Sequence, residues 1–262
     1  MFNGMRLSVV IPTFDTAPLT VRCCASVVAS LPPDSEVIVV DDGSSDDTAG
    51  AITERFPSID ILRNEANRGF AASANRGATA ATGNVVLLLN SDTAVLPGAL
   101  ETLLEAFEAD ASLGVAGAQL IGSDGEPQWS GGPVPGLLWL AASFSGAGPL
   151  LRRFRGPRPP SDRDVGWVCG AAMAIRRAVW DEFGPLREDF EFYAQDLDFC
   201  ERAGRAGWNV RLFADARVQH AGGATFGSGA HAEQVRRRDL VRWYRESRGG
   251  LPAAVVSLLA RL

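Results

Sequence analysis

Polar or turn residues follow three of the apolar runs in the first 92 residues. They are Pro12-Thr13, Asp41-Asp42 and Asn90-Ser91-Asp92. In an open α/β sheet, ligands bind beyond the carboxyl ends of the strands, so residues in these places share one rim. One polar residue there is most often a cap or a turn residue. Three groups at the same edge predict a binding site.

The residue types at this rim allow a narrow chemistry. The Asp42 carboxylate can accept the N–H of a pyrimidine base or a ribose hydroxyl. Asp92 and Asn90 offer the oxygen ligands that a hard divalent cation prefers, and such a cation can bridge a diphosphate. All 25 basic residues are arginine, so no lysine neutralises a phosphate. We therefore expect a metal ion and arginine to hold the diphosphate.

The composition excludes several classes of protein. Without lysine there is no P-loop lysine, no Schiff base and no pyridoxal phosphate site. The two histidines and four cysteines, which form no C-x-x-C pair, exclude His-rich metal sites, zinc ribbons and thioredoxin motifs. The G-x-G-x-x-A at 227–232 follows no β-α-β pattern, so it is not a dinucleotide motif. The cysteines indicate buried free thiols in a reducing cytoplasm.

The elements that position the rim alternate between strand and helix. Apolar runs predict strands at 7–11, 36–40, 59–62 and 85–89, with helices between them. This alternation implies right-handed β-α-β units and a parallel sheet. The second half is less regular, with helices predicted at 97–109, around 179–183 and at 196–206. Further strands are predicted at 115–120, 169–175 and 216–220. Without a linker or repeat, residues 1–262 are expected to form one domain.

Two segments raise the question of membrane contact. Residues 127–151 carry no charge and are followed by four arginines, and the C-terminal region is rich in arginine. A Gly/Pro-rich loop and an ordinary terminal helix are the simpler interpretation; an interfacial patch drawn to anionic lipid is the alternative. No apolar run reaches the roughly 20 residues of a spanning helix. We expect a cytoplasmic protein, with peripheral contact to the inner face of the membrane left open.

Six motifs, in order, resemble glycosyltransferase family 2, the inverting GT-A enzymes. They are SVVIPTFD, VIVVDDGSSDDT, NEANRGFAASANRG, LLLNSDT, GAAMAIRRAVW and FYAQDLDFCER. The third motif and the closing HAGGATFG are most similar to the rhamnosyltransferase and galactofuranosyltransferase branch. The resemblance implies a GT-A α/β fold with a Rossmann-like, mostly parallel sheet flanked by helices and a smaller mixed-sheet half. Residues 1–125 would bind the nucleotide sugar, and 126–262 would bind the acceptor and catalyse transfer.

The resemblance also implies roles for individual residues. Asp92, at the last place of the family's D-x-D motif, would be the principal metal ligand, and His220 would complete the metal shell. Asp196 resembles the general base, although Gln195 stands where the family usually has glutamate. The residues expected at the nucleotide are Pro12, Thr13, Asp41, Asp42, Asn67, Gly69, Asn75 and Asn90.

The reaction implied is transfer of a sugar from a UDP- or dTDP-sugar to a glycan or lipid-linked acceptor, with Mn²⁺ or Mg²⁺, in bacterial cell-wall or polysaccharide synthesis. Such a transfer needs one base at the acceptor hydroxyl and a cation at the leaving diphosphate. Two alternatives stay open. A nucleotidyltransferase would need a glycine-rich basic loop that VIPTFDTAP lacks, and a non-catalytic nucleotide-sugar or glycan binding module fits the Gln195 departure. No nucleic-acid partner is expected. The sugar, the linkage and the oligomeric state stay open.

Overall fold

The computed structural model describes residues 4–144, 162–222 and 230–249. Its first part alternates strand and helix as predicted. The elements are β1 (Leu7–Thr13), α1 (Ala17–Ala29), β2 (Glu36–Asp41), α2 (Thr48–Arg55), β3 (Asp60–Arg63), α3 (Phe70–Ala80) and β4 (Val85–Leu89). The strands lie in the order β3-β2-β1-β4 and all pair in parallel. Because they run the same way, their carboxyl ends meet at one rim.

The second part adds antiparallel strands and the helices behind the site. Its elements are β5 (Thr93–Val95), α4 (Ala99–Ala109), β6 (Leu113–Ile121), β7 (Gly131–Gly132), α5 (Leu137–Phe144), β8 (Arg163–Asp164), β9 (Trp167–Val168), β10 (Ala172–Arg176), α6 (Arg177–Phe183), α7 (Gln195–Arg205), β11 (Asn209–His220) and α8 (Ala230–Arg248). The sheet continues from β4 through β10, β6 and β11 to β5, with β8 paired to β11.

Strand β10 joins the two parts of the sheet. It is antiparallel to both β4 and β6, and Ala172 lies opposite Leu89. The turn before β10 therefore reaches the same rim as the residues that follow β4. The Asn90 N–H donates to the Ala171 carbonyl at 3.0 Å, which fixes this contact.

Both faces of the sheet are covered, which explains the unbroken apolar runs. Along β1, Val9 and Ile11 face a cluster that includes Cys23 of α1. Val10 faces the opposite cluster, which includes Phe199 of α7. The four cysteines are free thiols, and three of them are buried.

Several elements differ from the sequence prediction, and the short strands β5, β8 and β9 were not predicted. Strand β11 begins at Asn209, seven residues before the predicted strand, because its charged residues hide the apolar alternation and a bulge interrupts its register with β6. Strand β10 begins at Ala172, and the residues just before it form the turn at the rim. The uncharged stretch contains β7 and α5 as well as loop. Within the described ranges, no helix is long and apolar enough to cross a membrane.

Candidate active site

A cleft of about 540 Å³ opens at the carboxyl ends of β1, β2 and β4. Its volume lies within the range of roughly 300–1,000 Å³ that is common for small-molecule sites. It gathers most of the predicted residues: Pro12, Thr13, Asp42, Asn67, Gly69, Asn90, Asp92, Asp196 and His220. The carboxyl ends of the parallel strands thus bring these residues to one cleft.

At one end of the cleft, the Asp42 carboxylate holds the loop that precedes α3. Its Oδ1 accepts hydrogen bonds from Asn64 Nδ2 at 2.6 Å and from the Arg68 N–H at 3.0 Å, and its Oδ2 accepts from the Gly69 N–H at 2.8 Å. Gly69 has φ +88°, a conformation that glycine adopts without strain. Asp42 thus sets the shape of the loop that carries Asn67 to the cleft.

A group of hydroxyls connects the ends of β1 and β4. The Thr13 hydroxyl lies 2.7 Å from that of Thr20 and 3.0 Å from that of Thr16. The Thr16 hydroxyl also lies 3.2 Å from that of Ser91. These buried side chains satisfy one another and hold the two strand ends together.

Two of the residues predicted at the nucleotide do not line the cleft. Asp41 is fully buried, accepts a hydrogen bond from the Ser44 N–H at 2.8 Å and pairs with Arg63 at 3.5 Å. Asn75 pairs with the backbone of Leu186, donating at 2.9 Å and accepting at 2.8 Å. The structure thus shows both residues supporting segments at the cleft. The motifs VIVVDDGSSDDT and NEANRGFAASANRG contain these two residues, but the sequence gives no indication of which way each side chain points.

Asp92 and His220 face each other across the centre of the cleft, with Asp92 Oδ1 and His220 Nε2 3.4 Å apart. Gln128 holds the histidine from behind. Its Nε2 donates to the His220 carbonyl at 3.0 Å, and its Oε1 lies 2.9 Å from His220 Nδ1. The carbonyl can only accept, so the amide orientation is determined, and Nδ1 must carry the proton donated to Oε1. Nothing in the sequence pointed to Gln128.

This tautomer has a consequence for the centre of the cleft. With a proton on Nδ1, His220 directs Nε2 at an Asp92 carboxylate oxygen, and a cation placed between these two atoms would be attracted by both. Among the described residues, no group of three His, Cys, Asp or Glu has the arrangement of a complete metal shell.

The charges that line the cleft are mainly negative. Asp42, Asp92, Glu191 and Asp196 contribute carboxylates, and the described lining residues include no arginine. The expectation that arginine faces the diphosphate is therefore not met in the described part of the chain. Residues 1–3, 145–161 with four arginines, 223–229 and 250–262 lie outside it.

At the other end of the cleft, Asp196 is the second residue of α7. Its Oδ2 accepts a hydrogen bond from the Gly170 N–H at 2.9 Å, and its Oδ1 accepts from the Leu197 N–H at 2.8 Å. Burial raises the pKa of Asp196, and the backbone N–H groups oppose that rise. A carboxylate with a raised pKa is a stronger base near neutral pH than an ordinary aspartate.

Asp198, two residues on, points elsewhere. It accepts a hydrogen bond from Arg202 at 2.8 Å and lies 3.7 Å from Arg187. It does not line the cleft, whereas Gln195 does and donates to the Phe190 carbonyl at 3.2 Å. Of the three acidic residues in the motif, which include Glu201, only Asp196 lines the described cleft.

Comparisons with known proteins identify the family and the fold. A profile of glycosyl transferase family 2 matches residues 8–183. The N-acetylglucosaminyl-diphospho-decaprenol L-rhamnosyltransferase of Mycobacterium tuberculosis is 28% identical over 232 residues, which cover 82% of this chain and 75% of the relative.

Solved structures share the fold. A mannosyltransferase of Pyrobaculum calidifontis, in complex with GDP-Man and Mn²⁺, has a TM-score of 0.65 at 21% identity, over 98% of this chain and 69% of that one. GalNAc-T7 with UDP, GalNAc and Mn²⁺ has a TM-score of 0.69 at 18% identity, over 93% of this chain and 48% of that one. These neighbours are GT-A enzymes, so the predicted GT-A fold is confirmed. The chain belongs to glycosyl transferase family 2 and is a glycosyltransferase.

Proposed function

We propose that this enzyme is a metal-dependent inverting transferase that moves a sugar from a UDP- or dTDP-sugar to a glycan or lipid-linked acceptor. One observation carries the proposal. A buried carboxylate with a raised pKa, Asp196, lines the same cleft as the Asp92–His220 pair. A base for the acceptor and a place for a cation at the diphosphate are the two requirements of such a transfer.

The residues present fit a divalent cation. Asp92 and His220 direct two acceptor atoms at one point, and Asn90 lies at the same strand end. The carboxylates of the cleft would repel a diphosphate that arrived without a cation. When bound there, Mn²⁺ or Mg²⁺ supplies positive charge to the leaving diphosphate. The Mn²⁺ in both solved neighbours supports this assignment.

Asp196 acts as the base in this proposal. Its two backbone hydrogen bonds fix the carboxylate at the cleft wall, where it accepts the proton of the acceptor hydroxyl. Cys169 also lines the cleft, but burial raises the pKa of its thiol to about 12, so it stays protonated and is a poor nucleophile. In this proposal Asp196 takes the proton while the acceptor oxygen attacks the anomeric carbon and the nucleoside diphosphate leaves, a single displacement that inverts the anomeric centre.

The two halves of the chain divide the substrates in this proposal. Residues 1–125 hold the donor through the strand ends near Asp42 and Asp92, and residues 126–262 supply the base and the acceptor site. The rhamnosyltransferase relative acts on a lipid-linked N-acetylglucosamine diphosphate, as its name states. We therefore take dTDP-L-rhamnose and an acceptor of that kind as the first pair to test, which would place the enzyme in bacterial cell-wall or polysaccharide synthesis.

A lipid-linked acceptor also gives a role to α5, as part of a peripheral contact with the inner face of the membrane. This helix carries no charge, and 85% of the Leu138 side chain is exposed. Trp129 and Trp139 pack beside each other with their ring centroids 5.6 Å apart, and Arg237 lies over the Phe144 ring. Aromatic and basic groups around an apolar helix suit the surface of an anionic bilayer. The arginines at 152–158 and residues 250–262, which also motivated this idea, lie outside the described residues. The arginine-rich part of the C-terminal region lies in α8, where five of its six arginines pair with carboxylates.

The test of the proposal is a transfer assay with a nucleotide-sugar panel. Thermal shifts with UDP-, dTDP- and GDP-sugars, with and without Mn²⁺, identify the donor. The donor is then incubated with an N-acetylglucosaminyl diphosphate that carries a short alkyl chain, and NMR shows the configuration of the new bond. We expect donor binding that needs the metal and an inverted product. Equal stabilisation in EDTA, or a retained configuration, would contradict the proposal.

A further inference from the structure

The segment 184–194, the acceptor loop, joins α6 to α7 and ends beside Asp196. Glu191, Phe192 and Tyr193 of this loop line the cleft. The rings of Phe192 and Tyr193 pack edge to face, with centroids 5.3 Å apart. The loop ends at Ala194, whose φ of +70° is a conformation that alanine rarely adopts. Its path into α7 is therefore imposed by surrounding contacts.

One of those contacts comes from the C-terminal helix. Asp239 of α8 is 1% exposed, and its Oδ2 accepts hydrogen bonds from the Phe192 and Tyr193 N–H groups, both at 3.0 Å. Arg238 lies 3.5 Å from the other carboxylate oxygen. A buried carboxylate is costly unless it is bonded in this way, and bonds to a charged acceptor are stronger than neutral ones. Asp239 therefore fixes the backbone of the two residues whose rings reach the cleft.

The other side of the acceptor loop is tied to α3. Asn75 pairs with both backbone groups of Leu186, and it also donates to Glu188 at 3.0 Å. Between the two ties, Arg187 lies over the Phe190 ring at 4.4 Å. The loop is thus held at its start by the donor half and near its end by α8.

The place of the aromatic pair determines what it can contact. Phe192 and Tyr193 line the same cleft as Asp196, four and three residues before it. When an acceptor hydroxyl gives its proton to Asp196, the sugar ring that carries this hydroxyl therefore lies near the two aromatic residues. The C–H face of a pyranose packs on aromatic rings, and a tyrosine adds a polar tip that can hydrogen-bond a sugar hydroxyl. Burial raises the pKa of Tyr193, which keeps its hydroxyl protonated.

We propose that Asp239 is a positioning residue for the acceptor: from α8 it holds Phe192 and Tyr193 as the wall on which the acceptor sugar packs beside Asp196. This inference rests on the proposed function and deepens it. It makes the C-terminal helix part of acceptor recognition, although α8 itself contributes no described residue to the cleft lining.

The test compares Asp239→Leu and Asp239→Asn with Leu240→Ala, a matched control whose side chain is 8% exposed on the same helix. Steady-state kinetics use dTDP-L-rhamnose, or whichever nucleotide sugar the panel identifies, and the short-chain N-acetylglucosaminyl diphosphate. We expect Asp239→Leu to raise the acceptor KM by about tenfold, the usual effect of losing hydrogen bonds to a charged group, with the donor KM nearly unchanged. Asp239→Asn keeps one oxygen acceptor, so its acceptor KM should lie between that of the unaltered enzyme and that of Asp239→Leu.

Amide hydrogen exchange gives a second measurement that needs no substrate. The Phe192 and Tyr193 N–H groups should exchange faster in Asp239→Leu and stay protected in Leu240→Ala. If Asp239→Leu does not fold, Asp239→Asn and Tyr193→Ala provide the test. The double variant should raise the acceptor KM by less than the product of the two single effects, because both substitutions act through the wall formed by Phe192 and Tyr193.

Three results would overturn the inference: an unchanged acceptor KM despite faster exchange at Phe192 and Tyr193, an equal rise in Leu240→Ala, or an equal rise in the donor KM. Failure of the proposed function would look different: the unaltered chain would neither hydrolyse nor transfer any sugar of the panel. The acceptor role of Asp239 would then fail as well.

Discussion

The two ends of the cleft are built in different ways. At the donor end, functional side chains sit directly at the ends of parallel strands. Asp42 bonds Gly69 27 residues away and Thr13 contacts Thr20 seven residues away, while the contact of Thr16 with Ser91, 75 residues away, joins two strand ends of the sheet. At the acceptor end, support comes from other helices far along the chain. Asp239 and Phe192 are 47 residues apart, and Asn75 and Leu186 are 111 apart.

This difference predicts that substitutions at the two ends of the cleft have different effects. A strand end places a side chain by topology alone, so the donor end follows from the order of the sheet. The acceptor end depends on single buried side chains, so one substitution there can move a wall without disturbing the sheet. We therefore expect changes at the two ends to separate donor binding from acceptor recognition and turnover.

The largest effect is expected from Asp196→Asn. The variant cannot take a proton, so transfer should fall by about 10²- to 10⁴-fold, the usual contribution of a general base. Donor affinity should change little, because a base acts mainly in the transition state. Single-turnover transfer and calorimetric donor binding measure the two quantities separately.

Asp198→Asn is the matched control for that variant. It removes a partner of Arg202 and Arg187 on the same helix, so it should lower the free energy of unfolding by about 1–3 kcal/mol while turnover stays near normal. The opposite pattern, an active Asp196→Asn and a folded but inactive Asp198→Asn, would move the base to Asp198.

The raised pKa of Asp196 predicts the pH dependence of transfer. The base works only when deprotonated, so kcat/KM should rise with pH through the pKa of Asp196 and level off above it. Since burial raises that pKa, the acid limb should lie above the ordinary aspartate value of about 3.9. The residual rate of Asp196→Asn should lack this limb. A limb at or below the ordinary value in the unaltered enzyme would argue against Asp196.

Asp92→Ala tests the donor end. Removal of this carboxylate should abolish the metal-dependent stabilisation by UDP or dTDP, which would amount to about 2.7 kcal/mol at a hundredfold excess over Kd. Thermal unfolding with Mn²⁺ or EDTA measures it, and Asp60→Ala, which removes an exposed carboxylate of β3 outside the cleft lining, is the control. Nucleotide affinity that is equal in EDTA would remove the metal from the proposal.

These two ends also differ in how much the sequence revealed. The strands β1, β2 and β4, with the polar residues after them, were predicted because an apolar run followed by a carboxylate is a local pattern. The side-chain directions of Asp41 and Asn75 were not predicted, because aspartate and asparagine occur both at ligand sites and in buried structural hydrogen bonds. Gln128 carried no signal. Phe192 and Tyr193 lie in the motif FYAQDLDFCER, but no role was predicted for them, because it arises from contacts between distant parts of the chain.

Gln128 gives a smaller effect at the point where the two ends meet. Gln128→Leu frees His220 Nδ1, so the histidine should no longer favour the tautomer that presents Nε2 to Asp92. Loss of such a support typically weakens metal binding by about 10- to 100-fold. Manganese titration followed by EPR measures the affinity, and ¹⁵N NMR reports the tautomer with little overlap, because the chain has only two histidines. Gln128→Glu, which keeps an acceptor for Nδ1, should preserve the tautomer. An unchanged tautomer in Gln128→Leu would contradict the role of this residue.

The smallest effect concerns the membrane contact at the acceptor end. Leu138 is the most exposed large apolar side chain described, so Leu138→Asp should weaken binding to vesicles that contain anionic lipid. The loss of one buried leucine corresponds to about 1.5–3 kcal/mol at most, and less if the side chain enters the interface only partly. Val28→Asp is a matched control, because Val28 is exposed on α1, away from the uncharged stretch.

Binding by the unaltered enzyme should also weaken as salt rises, since the Debye length shortens from about 10 Å at 0.1 M to about 3 Å at 1 M. Equal sedimentation with neutral and anionic vesicles, or equal loss in both variants, would show that α5 does not form a specific lipid contact. In that case the acceptor end would meet only the sugar and diphosphate of its substrate.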